Sequence, residues 1–125
     1  MRIRSRGITA LAAVALAASG LTVAAGSSAS AAAPLDCYGS SNIYSTSGNN
    51  RWPSSGWVTT SSVCADINVR PNNSLWVQTC FQATNSCNKA TWISAVTWGT
   101  AATGVLDGTK FYLHFDRASV GDVAY

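Results

Sequence analysis

Glutamate is missing from this chain, histidine and methionine occur once each, and only two lysines are present. Leucine is also scarce, and no window carries apolar residues at helical spacing behind a capping residue, which excludes a helical domain. A Ser-His-Asp relay would have to use His114, the one histidine, and no G-x-S-x-G turn presents a nucleophile. The acid nearest to it in sequence, Asp116, lies two residues on, about 7 Å away at strand spacing. That is too far for a direct orienting hydrogen bond. Paired-carboxylate hydrolysis needs two acids held together in contrasting environments, whereas the aspartates here are scattered, with Asp107 and Asp122 in apparent turns. A calcium loop would cluster its acids, and Asp36 and Asp66 stand alone. The expectation is a non-enzymatic protein with no metal and no cofactor.

The chain opens Met-Arg-Ile-Arg-Ser-Arg and continues as an alanine-rich apolar run ending in Ala29-Ser30-Ala31. A basic start, an apolar middle and a small-residue cleavage site are the layout of a secretory signal peptide, read here as residues 1–31, with cleavage after 31 or after 33. The run is interrupted by Gly20 and lacks a charged stop, so it does not read as a membrane span. The arginines are interleaved, which favours the general secretory route over the twin-arginine one. The expected product is a secreted, extracellular domain, residues 32–125, with no membrane attachment after the leader is removed.

Processing alters the charge argument. The net charge of +3 belongs to the whole chain. Arg2, Arg4 and Arg6 leave with the leader, and Arg51, Arg70, Lys89, Lys110 and Arg117 then balance Asp36, Asp66, Asp107, Asp116 and Asp122. Net neutrality gives no sign of the basic face that nucleic acid requires. The partner classes left are protein and polysaccharide.

All four cysteines, Cys37, Cys64, Cys80 and Cys87, lie in the exported part. An even number in a short secreted domain reads as two disulfides. Zinc would call for C-x-x-C pairs or several histidines, and a redox pair for two intervening residues. Sequential pairing, Cys37–Cys64 with Cys80–Cys87, is the first expectation. A competing register, with Pro71-Asn72-Asn73 as a hairpin loop, sets Cys64 opposite Cys80 and would give Cys64–Cys80 with Cys37–Cys87.

The remainder predicts an all-β fold. In residues 63–70, Val63, Ala65, Ile67 and Val69 alternate with Cys64, Asp66, Asn68 and Arg70, a strand with one buried face. Residues 75–81 follow, with Leu75, Val77 and Phe81 inward, and then residues 90–98. Asp107-Gly108 between "AATGVL" and "TKFYLHF" suits a two-residue hairpin turn. Beyond it, Phe111, Leu113 and Phe115 share one face, and Lys110, Tyr112, His114 and Asp116 the other. Residues 120–125 can close the sheet. Residues 36–62 read mostly as loop, with a strand near Trp57-Val58-Thr59. About five to seven strands at this spacing predict a single small antiparallel β-sandwich or barrel.

With these pieces in place, "CADINVR…WVQTCF…VLDGTKFYLHF" resembles a group of small secreted actinomycete proteins of unassigned function. The likeness runs from Cys37 to Tyr125 and implies an exported, disulfide-bonded β domain. It carries no activity and no site residue. The architecture is also similar to that of the enediyne-carrier apoproteins, although the cysteine spacings differ.

The excess in this composition is tryptophan, five in the chain and all beyond the leader. "NNRWPSSGW" sets Trp52 and Trp57 beside Arg51 in a polar stretch, and Trp76 shares an outward parity with Gln78 and Cys80. Trp92 and Trp98 share parity with Ser94 and Val96, so at least one of the two is expected in the core. Exposed aromatics among Arg, Asn and Ser bind through stacking and hydrogen bonds. Arg51, Trp52, Trp57 and Trp76 are therefore the candidate binding residues, against the plainer reading of tryptophan as core filler. Three functions follow. One is a secreted interaction domain with a protein or cell-envelope partner. Another is a carbohydrate-binding module, which predicts a row of exposed tryptophans on one sheet face. The third is an inhibitor of a secreted hydrolase, presenting "CFQATNSC" or "NNRWPSSGW" as a pinned loop.

Overall fold

Alternating apolar residues in a chain too short for a large core are best buried between two sheets, and the computed structural model, which describes residues 36–125, shows that arrangement. The leader expected at residues 1–31 and its cleavage site lie outside the described residues. Among the described residues there are ten strands: β1 Asn42–Ser45, β2 Arg51–Trp52, β3 Val58–Thr59, β4 Ile67–Pro71, β5 Leu75–Phe81, β6 Ser86–Cys87, β7 Thr91–Ile93, β8 Gly99–Ala102, β9 Lys110–Phe115 and β10 Val120–Ala124. Among the described residues a 3-10 turn, Tyr38–Ser40, comes before β1. The count exceeds the expected five to seven because β1, β2 and β6 are short pairings within segments that read as loop, whereas β3 is the strand expected near Trp57-Val58-Thr59.

The first sheet has the order β1-β10-β4-β8, and the second β2-β9-β5-β6, with β3 also on β9 and β7 also on β5. Every pairing is antiparallel. The sheets pack as a sandwich. Tyr44, Ile67, Val69 and Val123 face Leu75, Val77, Phe111, Leu113 and Phe115, all fully buried. Tyr44 and Phe115 stack across the interface, centroids 5.0 Å apart and planes 7° from parallel. Both disulfides form in the sequential pairing, Cys37–Cys64 and Cys80–Cys87.

Four local expectations fail, the first two because the chain changes sheets where a hairpin is expected. β4 lies in the first sheet and β5 in the second, so Pro71-Asn72-Asn73 is a crossover and Cys64 never faces Cys80. β8 and β9 are likewise in different sheets, so Asp107-Gly108 is no hairpin turn. Only Gly108 of that pair has positive φ, at 79°, where the two-residue turn would need both. The link is instead tied to Thr60, whose Oγ1 donates to Leu106 O at 2.7 Å and accepts from Thr109 N at 2.9 Å. Residues 63–66 alternate like a strand but are not one. Ala65 O accepts from Val105 N, and Asp66 Oδ1 from Gly104 N, so these groups bond to a loop. Ala65 is exposed and Val63 half-buried. Residues 90–98 form a strand only over β7, because Val96 N turns back to Pro71 O at 2.7 Å.

Candidate functional site

Period-2 alternation sends alternate residues of each strand of the second sheet to its outer face. On β9, flanked by buried Phe111, Leu113 and Phe115, these are Lys110, Tyr112 and His114. Register then brings residues from other strands beside them. Arg51 of β2 pairs with His114, and His114 with Gln78 of β5. Tyr112 pairs with Cys80, and Cys80 with Cys87. Trp76 of β5 pairs with Trp92 of β7.

Two aromatic clusters result. Trp76 and Trp92 meet edge to face at 5.5 Å, and each remains 47% exposed. Large apolar rings in mid-strand are normally buried, so this exposed pair is the feature that calls for explanation. At the other end Trp57 lies 5.2 Å from Tyr112, and the Arg51 guanidinium sits 3.8 Å from the Tyr112 centroid and 5.9 Å from that of Trp57. Arg51 Nη2 also donates to Gly56 O at 2.6 Å. This cation–π contact and the backbone bond fix Trp57 against the sheet. Four residues of β5 separate the row of Trp76 from that of Cys80 and Tyr112, about 13 Å at strand rise. Between the clusters lie hydrogen-bonding groups: His114, exposed, and Gln78, whose Nε2 donates to Asn88 O at 3.1 Å.

The edge of this face is defined by Asp116. Its Oδ1 accepts from Trp76 N at 3.1 Å, and Arg117 Nη2 donates to its Oδ2 at 3.0 Å. The Arg117 hydrogen bond is the chief reason its carboxyl is held below the usual aspartate range. The carboxylate thereby anchors the strand end that carries Trp76.

The candidate residues of the sequence divide accordingly. Arg51, Trp57 and Trp76 lie on this outer face. Trp52 does not: one residue along a strand reverses direction, so Trp52 pairs with Leu113 and packs against the core near Tyr44 and Tyr125. The expectation that Trp92 or Trp98 is a core residue also fails, since Trp92 is exposed and Trp98 half-buried. Tyr112 is not among the binding candidates of the sequence, and Trp92 enters there only as a core candidate. The parity of β9 marks Tyr112 as outward, but its meeting with Trp57 depends on cross-strand register.

The outer face of the first sheet differs. Trp98 packs on Tyr38 at 4.8 Å and under the Arg70 guanidinium at 5.3 Å. Arg70 is in turn ion-paired with Asp122 at 2.6 Å. A shallow cleft of about 280 Å³ lies beside them, lined by Arg70, Pro71, Asn72, Val96 and Asp122. Among the described residues no group of three or more His, Cys, Asp or Glu could hold a metal ion, and no helix is long and apolar enough to cross a membrane. No family model, curated protein or solved structure matches the chain.

Proposed function

We propose that this protein is a secreted, non-catalytic binding domain that takes a polysaccharide on the outer face of its second sheet. The observation that carries the reading is the placement of Trp76, Trp92, Trp57 and Tyr112 on one face, with the tryptophan pair left open to solvent. Sugar rings present apolar C–H faces and a rim of hydroxyls. Aromatic rings stack on the first, and groups such as Gln78, His114 and Arg51 can bond the second. A strand-built platform loses little entropy when an extended chain lies along it. The two disulfides suit an oxidising compartment, in keeping with the leader read at residues 1–31.

The test is retention on insoluble chitin, cellulose and peptidoglycan by the oxidised protein and two variants. Trp76→Ala/Trp92→Ala should lose about tenfold or more in affinity, equivalent to about 1.4 kcal/mol. Trp98→Ala, on the opposite sheet, should bind as the parent does. Retention on none of these would count against the reading, as would equal loss in both variants.

A second reading has one observation in its favour. The residues from Gln82 to Cys87 are all exposed, and the Cys80–Cys87 disulfide closes the turn. A pinned, protruding turn is the form an inhibitor of a secreted hydrolase takes. Secreted proteases and glycosidases that keep full activity in excess protein would remove it.

A further inference from the structure

The balanced charge of residues 32–125 conceals a separation in space. The second sheet and its links carry Arg51 on β2, Lys110 on β9, Lys89 between β6 and β7, and Arg117 beyond β9. They carry two acids, Asp116 beyond β9 and Asp107 in the link that leads into it. Asp116 is already committed, to Arg117 through Oδ2 at 3.0 Å and to the backbone of Trp76 through Oδ1 at 3.1 Å. The first sheet shows the reverse. Asp122 lies on β10, Asp66 directly precedes β4, and Asp36 borders the 3-10 turn whose Tyr38 packs on Trp98. The one base there, Arg70, is paired with Asp122.

Four cations against two acids, one of them paired with Arg117, leave the second sheet and its links positive on a molecule of balanced charge, and Arg51 and Lys110 lie on the face that bears the aromatic platform. Lys110 and Lys89 are exposed, and no ion pair forms at either among the described residues. From this complementarity we infer that the polysaccharide bound on the second sheet is anionic, a polymer carrying carboxylates. Its ring faces stack on Trp76, Trp92 and Trp57, and its acid groups lie toward Lys110, Lys89 and the Arg51 edge. The inference rests on the polysaccharide reading above and narrows it. Aromatic stacking holds the rings whatever their charge, whereas the lysines attract only an acidic polymer. Exposed charges of this kind contribute modestly each and are screened by salt.

The experiment is affinity electrophoresis of the oxidised protein in gels cast with polygalacturonate, with neutral hydroxyethylcellulose, or with polyadenylate RNA. The expected result is stronger retardation by polygalacturonate than by the other two, weakening as salt rises. Trp76→Ala/Trp92→Ala should abolish it. Lys110→Gln and Lys89→Gln should each weaken it by about threefold, with unchanged far-UV circular dichroism. Equal or stronger retardation by hydroxyethylcellulose would overturn the anionic inference and leave the polysaccharide reading standing. Retardation by none of the polymers would overturn both. Equal retardation by polyadenylate, or indifference to the tryptophan substitutions, would show general polyanion attraction and overturn the inference.

Discussion

Val96 sits at φ 58° on an exposed turn, a backbone region costly for a β-branched residue. Asn50 and Asn85 occupy the same region at 54° and 51°, where asparagine is tolerated far better. Val96→Asn should therefore stabilise the protein by about 1 kcal/mol, seen as a higher thermal midpoint; a lower one would show that the valine side chain is held by contacts that outweigh the strain. Tyr44 gives a pH prediction. Burial pushes its phenol up to about 12, only partly offset by the hydrogen bond with Ser119 Oγ at 2.8 Å. In the unfolded chain a tyrosine ionises near about 10. The native state thus keeps a proton that the unfolded state releases, and stability, complete below about pH 10, falls as pH rises toward 12. Tyr125, also raised by burial, acts in the same direction. Urea midpoints across this alkaline range should fall less steeply for Tyr44→Phe, which should be weaker by about 1 kcal/mol near neutrality. Parallel pH profiles for the two proteins would contradict the assignment.

Strands were legible where one face is buried and opaque where the chain changes sheets. β9 and β5 read correctly because Phe111, Leu113 and Phe115, and Leu75 and Val77, alternate with polar neighbours and are fully buried. β1 and β2 were read as loop, since Ser- and Asn-rich segments with short pairings carry almost no periodic signal. β10 was read as an optional closing strand, yet it lies between β1 and β4 in the first sheet. Its position depends on Gly121, where an added Cβ would run into Arg70 O and fall 2.9 Å from both Pro71 Cα and Tyr44 Cε1. Backbone cannot yield as a side chain can. Gly121→Ala should therefore destabilise by about 3 kcal/mol or more. Gly99→Ala, which would meet only the Ile93 side chain, should cost less. A chemical denaturation series ranks the two, and the opposite order would mean that β10 can shift against β4. The disulfides differ at this scale as well. Replacing Cys37–Cys64 by serines opens a loop with separation 27, and Cys80–Cys87 one with separation 7, so chain entropy sets losses of about 3.5 and about 2.5 kcal/mol. A larger loss for the shorter loop would indicate that the Cys80–Cys87 bridge also organises the outer face beside Tyr112.

For the molecule as a whole, an antiparallel sandwich or barrel could be read from composition and alternation, and the cysteine pairing that forms is the first of two the sequence leaves open, but the site could not be read. Trp76 and Arg51 were visible as candidates. Their relation to Trp92, Tyr112 and His114 exists only through register across β2, β9, β5 and β7. Linear proximity misled in one case, because Trp52, five residues from Trp57, faces the core. Net charge misled in another, since four of the five cations of residues 32–125 lie on the second sheet and its links. The central claim is that the second sheet's outer face binds a polysaccharide, and amide and indole chemical-shift mapping tests it most directly. The titrants are cello-oligosaccharide and oligogalacturonate. The account predicts saturable shifts at Trp57, Trp76, Gln78, Trp92 and Tyr112 with at least one of them, while Trp98 and Tyr38 stay still. Shifts confined to residues 82–86 or to the first sheet, or none with either titrant, would contradict it.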